Sequence, residues 1–132
     1  MDAEAICNFI AADLTAAGFE VIEPALSLTA LPDWDQLPAA FVHPMKDRAL
    51  GGNTLTAGGF RQSISEQFAV VVVCPIADLK TRRDQVAAAL LGKLLPGRRY
   101  ETEYAEGEVL DLNRTAIWWR DSYTTQIDRR TT

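Results

Sequence analysis

The run Glu-Gln-Phe-Ala-Val-Val-Val-Val-Cys-Pro at residues 66–75 is the most apolar stretch of the chain. It is rich in β-branched residues, stops at a proline and is too short for a membrane-spanning helix. These properties predict a central strand that is buried on both faces. Because strand side chains alternate, even-numbered residues from Phe68 to Cys74 point one way and odd-numbered residues from Ala69 to Val73 the other. Each apolar face must pack against other apolar groups to be shielded from water. We expect another subunit to supply those groups for one of the two faces.

The length and composition predict a single folded domain over residues 1–132. The chain is 48% hydrophobic, which is enough to fill a core, and carries a net charge of -5. No basic patch dominates, which argues against a dedicated nucleic-acid binder. The pairs Arg98-Arg99 and Arg129-Arg130 are too small to change this, and we expect them to be solvated.

The first residues and the cysteines indicate a cytoplasmic setting. The chain opens Met-Asp-Ala-Glu, without the basic stretch of a signal peptide, and no apolar run reaches the roughly 18 residues of a membrane span. Cys7 lies in an expected helix and Cys74 at the end of the buried run. We expect both to be small core residues rather than disulfide partners. Nothing in the sequence indicates a cofactor.

Apolar residues at helical spacing predict two helices. The first covers residues 2–17, with Asp2 as its N-cap and Gly18 at C′. The second covers residues 77–95, and Pro-Gly at residues 96–97 stops it.

Short apolar or alternating runs predict the strands. They cover residues 19–22, 39–43, 63–74, 100–104, 109–112 and 115–127. We expect a turn at Glu106-Gly107, and in residues 25–38 a turn at Asp33 and Asp35 rather than a cation site. This order predicts an α+β fold. It has a mostly antiparallel β-sheet, two α-helices packed on one face and a long β-arm or loop.

Residues 46–62 form the expected arm, in which two glycine pairs flank a polar, β-prone middle. A phosphate-binding loop would need a lysine and a following helix, whereas this segment joins two strands. The pattern predicts a flexible β-arm or hairpin tip whose glycines allow positive φ. A disordered insertion is the alternative to an arm that orders against a partner.

Candidate catalytic groups are few and scattered. His43 is the only histidine, and a dyad with Cys74 is disfavoured because a thiol in an apolar strand has a raised pKa. Glu101 and Glu103 fall on one face of an expected strand, but nothing nearby completes an acid–base site. A small acidic enzyme using these groups is an alternative, and a solvated or channel-facing acidic patch is favoured. The candidate acidic residues are Glu101, Glu103, Glu106 and Glu108.

Three segments give this chain a resemblance to the tail-terminator proteins of long-tailed phages. The first is Gln-Phe-Ala-Val-Val-Val-Val at residues 67–73, a strand that enters from a long arm. The second is the helix over residues 78–95, with Val-Ala-Ala-Ala-Leu-Leu-Gly near its end. The third is Glu-Gly-Glu-Val-Leu at residues 106–110, followed by Ala-Ile-Trp-Trp-Arg-Asp-Ser-Tyr-Thr-Thr at residues 116–125. With the first helix, the likeness spans nearly the whole chain.

The resemblance implies a structural role in the virion tail, with assembly in the host cytoplasm. A hexameric ring would cap the tail tube at its head-proximal end, stop polymerisation of the tube protein and offer a surface to the head–tail connector. DNA would pass through without specific binding, and no membrane would be involved. Another head–tail joining or neck protein is the alternative. Ring contacts join two unlike surfaces, and the candidate interface residues are Asp47, Arg48, Gly51, Gly52, Asn53, Thr54, Arg61, Arg82, Arg83, Trp118 and Arg120.

Overall fold

Two α-helices and one six-stranded sheet make up this computed structural model, which describes residues 2–25, 36–50, 54–56 and 59–130. The elements are α1 (Ala3–Ala16), β1 (Val21–Pro24), β2 (Ala39–Ala49), β3 (Thr54–Thr56), β4 (Gly59–Cys74), α2 (Leu79–Leu90), β5 (Glu103–Leu112) and β6 (Ile117–Arg130). The strand order is β1-β2-β4-β6-β5, and β3 folds back on β4. Only β1 and β2 run parallel. The predicted α+β class with a mostly antiparallel sheet is confirmed.

The ends of α1 follow the predicted capping residues. Asp2 Oδ1 accepts hydrogen bonds from the backbone N–H groups of Glu4 and Ala5 at 3.0 and 3.3 Å. Gly18 has a φ of 98°, the left-handed conformation that ends a helix. Within the described ranges, neither helix is long and apolar enough to cross a membrane.

α2 is shorter than the predicted helix over residues 77–95. A 3-10 turn precedes it, and the chain leaves the helix at Leu91, whose ψ is 131°. The N–H of Gly92 then donates to the carbonyl of Thr102, and the N–H of Thr102 donates to the carbonyl of Lys93. This tertiary pairing ends α2 before the apolar pattern does, so Leu94 is exposed while Leu95 is buried.

β4 is the centre of the sheet, and its predicted two-sided burial is confirmed. Phe68, Val70, Val72 and Cys74 join the core formed with α1 and α2, on what we term the helix face. Val71 and Val73 lie on the opposite side, the far face, and pack there with Trp118. The expected cover from another subunit is wrong for these two residues. Both are at most 2% exposed in the single chain, because side chains of neighbouring strands and Leu37 pack on them.

Two predicted strand boundaries near the N-terminus are wrong. β1 begins at Val21 rather than at residue 19. β2 continues through Pro44 to Ala49, with a register shift between Pro44 and Lys46. The proline is tolerated because the pairing with β1 ends opposite Val42, and no strand in the described part of the chain lies beside β2 after that point.

The predicted turn at Glu106-Gly107 is also wrong, because a single strand, β5, replaces the two expected strands. β5 pairs with β6 along its length and carries bulges at Ala105 and Leu110. β6 itself is shifted, from the predicted residues 115–127 to Ile117–Arg130. Pairing with β6 overrides the local turn preference of the glycine.

The base of the arm is a ladder of three strands. Residues 46–49 of β2 pair with residues 64–67 of β4, and β4 pairs with β6 as far as Arg61 and Arg130. The predicted arm residues Gly51, Gly52 and Asn53 lie outside the described ranges, as does the expected turn at residues 33–35.

Candidate functional site

The outer strand β5 presents a row of carboxylates on the far face. Opposed residues of a ladder point to the same side, and the register pairs Glu103 with Thr124, Glu106 with Ser122, Glu108 with Arg120 and Asp111 with Trp118. The bulges at Ala105 and Leu110 each skip one residue, so all four acids share a face despite their irregular spacing. Glu108 forms an ion pair with Arg120.

The helix face of the same strand is apolar and open. Tyr104, Val109 and Leu112 are 46%, 52% and 57% exposed. Large apolar side chains in one row at a sheet edge are typical of a contact surface. β5 therefore combines an exposed apolar side with an acidic side.

A buried carboxylate ties this edge strand to α2. Asp121, only 2% exposed, accepts hydrogen bonds from Arg83 Nε at 2.9 Å and Nη2 at 3.0 Å. Trp119 Nε1 and Tyr104 Oη donate to the same carboxylate at 2.8 and 3.2 Å. The Arg83 guanidinium lies over the Trp119 ring, 4.5 Å from its centroid, and the hydrogen bond to Asp121 raises the arginine pKa. A buried charge needs such a full set of partners.

Gly107 provides the room for this network. A Cβ at that position would lie 2.4 Å from Asp121 Oδ1, 2.6 Å from Tyr104 Oη and 3.0 Å from Trp119 Nε1. Among the described non-glycine residues none has a positive φ, and Gly107 does not have one either. The glycine is therefore required for space rather than for backbone conformation.

A second carboxylate holds the base of the arm together. Asp128 on β6 accepts hydrogen bonds from Arg61 at 2.5 Å, Ser63 at 2.8 Å and Arg99 at 2.7 Å. The bond from Arg61 contributes most to lowering the pKa of Asp128 to about 2. β4, β6 and the segment before β5 are joined at this point.

The structure separates the other predicted interface residues. Arg82 donates to the carbonyl of Ala17 at 2.7 Å and lies over the ring of Phe19, so it joins α2 to α1. Trp118 was expected to anchor an interface but is 6% exposed and stacked on Phe41, with ring centroids 6.0 Å apart. Its burial in the far-face core removes it from the accessible surface.

Charged residues on the arm have different environments. The Asp47 carboxylate lies 3.6 Å from the Arg129 guanidinium. Arg48 is exposed on β2. Thr54 is the first residue of β3. The expectation that Arg98 is solvated is wrong, because its side chain forms a buried ion pair with Glu66 at 2.7 Å.

The candidate catalytic groups do not come together. Glu101 precedes β5 rather than sharing a strand face with Glu103, and both line an open cavity of ≈ 300 Å³. Cys74 lies on the helix face and His43, opposite Ala69, on the far face. Burial raises the pKa of the Cys7 and Cys74 thiols to about 11, which makes both poor nucleophiles. No group of three metal-ligating side chains occurs in the described part of the chain.

Sequence reasoning missed the network residues Asp121, Asp128 and Gly107. A signal existed for Asp121, since it interrupts the otherwise apolar set of Ile117, Trp119 and Tyr123 on one strand face. A carboxylate at such a position indicates a buried ion pair. No comparable local signal marks Asp128 or Gly107.

Comparison with known proteins decides between the remaining structural roles. The family model described as "Phage tail terminator protein" matches residues 1–132. The chain belongs to the phage tail terminator family. The family is structural and non-enzymatic, so the enzyme alternative is dismissed, and the match favours a tail terminator over a neck protein.

Similarity to solved structures supports the fold of this tail terminator. A chain in a structure titled "Virion of native gene transfer agent (GTA) particle" matches with a TM-score of 0.53 and 15% sequence identity. The alignment covers 96% of this chain and 97% of that chain. A search of curated protein sequences finds no significant match. The protein is thus a structural component of a phage-like virion.

Proposed function

We propose that this tail terminator caps the head-proximal end of the tail tube as a ring of six copies. The family match over residues 1–132 carries the proposal. In this role the ring stops polymerisation of the tube protein in the host cytoplasm and then presents a surface to the head–tail connector. The protein remains in the tail of the finished virion.

The shape of the chain supports assembly through unlike surfaces. β5 is the last strand on one side of the sheet. Among the described residues, β1 and positions 43–49 of β2 form the edge on the other side. A ring needs a heterologous contact in which one patch meets a different patch. The exposed apolar row on β5 supplies one such patch.

The charge of the chain suits a channel that DNA crosses. A net charge of -5 disfavours adhesion of phosphates to the ring. Glu101, Glu103, Glu106 and Glu108 were predicted to face this channel. Three of them lie in the β5 row, where they are available either to the channel or to a neighbouring copy.

Tail assembly with and without the protein tests this function. Without it, we expect tubes of excessive and variable length in negative-stain images, and addition of the purified protein during assembly should restore a uniform length. Tubes of uniform length in its absence would contradict the capping role. Co-sedimentation with purified tubes and with purified connectors provides the second measurement: binding to connectors alone would indicate a neck protein.

A further inference from the structure

The sheet ends in two different unpaired edges. β5 has no partner on its outer side in the described part of the chain. On the other side, the pairing of β1 ends opposite Val42, so residues 43–49 of β2 have no described strand beside them. Unpaired edges are templates for pairing with another chain. An interaction between these two edges would be heterologous, as a ring requires.

The carboxylates on β5 disfavour pairing of this edge with itself. Neighbouring residues in any ladder point to the same face. An antiparallel pair of β5 strands, related by a two-fold axis perpendicular to the sheet, would therefore place Glu103, Glu106, Glu108 and Asp111 of one copy beside the same acids of the other. Like charges placed together disfavour such a pairing. Repulsion between these carboxylates therefore disfavours an antiparallel, symmetric β5 dimer.

The β2 edge carries the complementary charge on the same face. The register shift after Pro44 places Lys46 opposite Gln67 and Arg48 opposite Ser65, which puts both cations on the far face. Both residues are exposed. No carboxylate among the described residues lies within 4 Å of either cation.

We propose that the outer edge of β5 in one copy docks against residues 43–49 of β2 in the next copy. This inference rests on the proposed ring. A sheet that continues from copy to copy keeps its faces aligned, so Glu103 and Glu106 meet Lys46 and Arg48. The exposed apolar row of Tyr104, Val109 and Leu112 lies on the other side of the same edge and is covered in the same contact.

Charge reversal tests the contact. The basic-edge variant carries Lys46→Glu and Arg48→Glu, and the acidic-edge variant carries Glu103→Lys and Glu106→Lys. Each alone should associate at least about tenfold more weakly than the wild type in native mass spectrometry, because like charges now meet. The chain with all four changes should regain association. A one-to-one mixture of the two variants should also assemble, because each edge of one variant then meets the opposite charge on the other.

Controls separate the contact from folding and from general charge. Lys80→Glu on α2 with Asn8→Glu and Thr15→Glu on α1 changes the net charge as the basic-edge variant does, at exposed helix positions away from both edges, and should associate like the wild type. Circular dichroism should show the wild-type fold for every variant. A wild type that stays monomeric at all concentrations, or reversal variants that associate normally, would overturn the inference.

The test distinguishes this contact from the proposed function. Normal association of the reversal variants together with length-controlled tubes would overturn the contact and leave capping intact. Rescue by the mixture, together with uniform tubes in the absence of the protein, would support the contact and remove the capping role. Unchanged association with altered DNA passage would place the acids on the channel wall and overturn the contact.

Discussion

Gly107→Ala tests whether the Asp121 network holds the edge strand in place. The new methyl group would lie 2.4 Å from Asp121 Oδ1, well inside van der Waals contact. Tyr104 is half exposed and is able to swing away, but the carboxylate is held by Nε and Nη2 of Arg83 and by Nε1 of Trp119. The substitution must therefore break or lengthen hydrogen bonds to a buried charge.

The expected cost follows from those bonds. A hydrogen bond to a charged group contributes about 1.5–3 kcal/mol, and the loss of one such bond at Asp121 should lower the free energy of unfolding by about 2–3 kcal/mol. For a domain of this size, about 3–4 °C of melting temperature corresponds to each kcal/mol. The melting temperature should fall by about 8 °C.

Urea and thermal denaturation followed by circular dichroism measure this cost. Glu106→Ala is the matched control, because the register places the side chain of this neighbour on the opposite face of β5 from Asp121; it should change stability by less than about 0.5 kcal/mol. A Gly107→Ala variant as stable as the control would refute the spatial role of the glycine.

Three further substitutions probe other parts of the chain. Trp118→Ala should lower the free energy of unfolding by about 3–5 kcal/mol in urea titrations, because it removes a buried indole and leaves a cavity in the far-face core. A loss below about 1 kcal/mol would show that Trp118 is not buried. Asp128 has a folded pKa of about 2, below its unfolded value of about 3.9, so its contribution is present above pH 4 and lost as the pH falls towards 2. Asp128→Asn should therefore show a shallower loss of stability than the wild type between pH 4 and pH 2, and equal slopes would contradict the assignment. Burial lowers the pKa of His43, so the unfolded chain takes up its proton first and stability should decrease below about pH 6.5; His43→Gln should flatten that decrease in melting temperatures measured from pH 7 to pH 5.

The predicted helices show how far local patterns reach. The cap at Asp2 and the stop at Gly18 depend on residues within a few positions, and both occur as predicted. The C-terminal end of α2 depends instead on hydrogen bonds between Gly92, Lys93 and Thr102, which no local pattern reports. Its predicted length was wrong for that reason.

The candidate site was only partly predictable from sequence. Glu103, Glu106 and Glu108 were identified as an acidic group, but Glu103 shares a face with the other two only because of the bulge at Ala105. A bulge arises from pairing with β6, so the spacing of the acids along the chain did not indicate their alignment. Arg83 was predicted as an interface residue, and its contact with the carboxylate of Asp121, 38 residues along the chain, was not predicted.

Residues 66–75 show what the sequence by itself determined. Alternation along a strand is a local property, so the run established a central strand with two buried sides before any partner was known. Only the tertiary structure decided what covers those sides. Trp118 and Phe41 reach the far face because β2 and β6 flank β4 in a particular register, which joins residues far apart in the chain. The same non-local pairing leaves β5 at one edge of the sheet and, among the described residues, positions 43–49 of β2 without a strand beside them at the other.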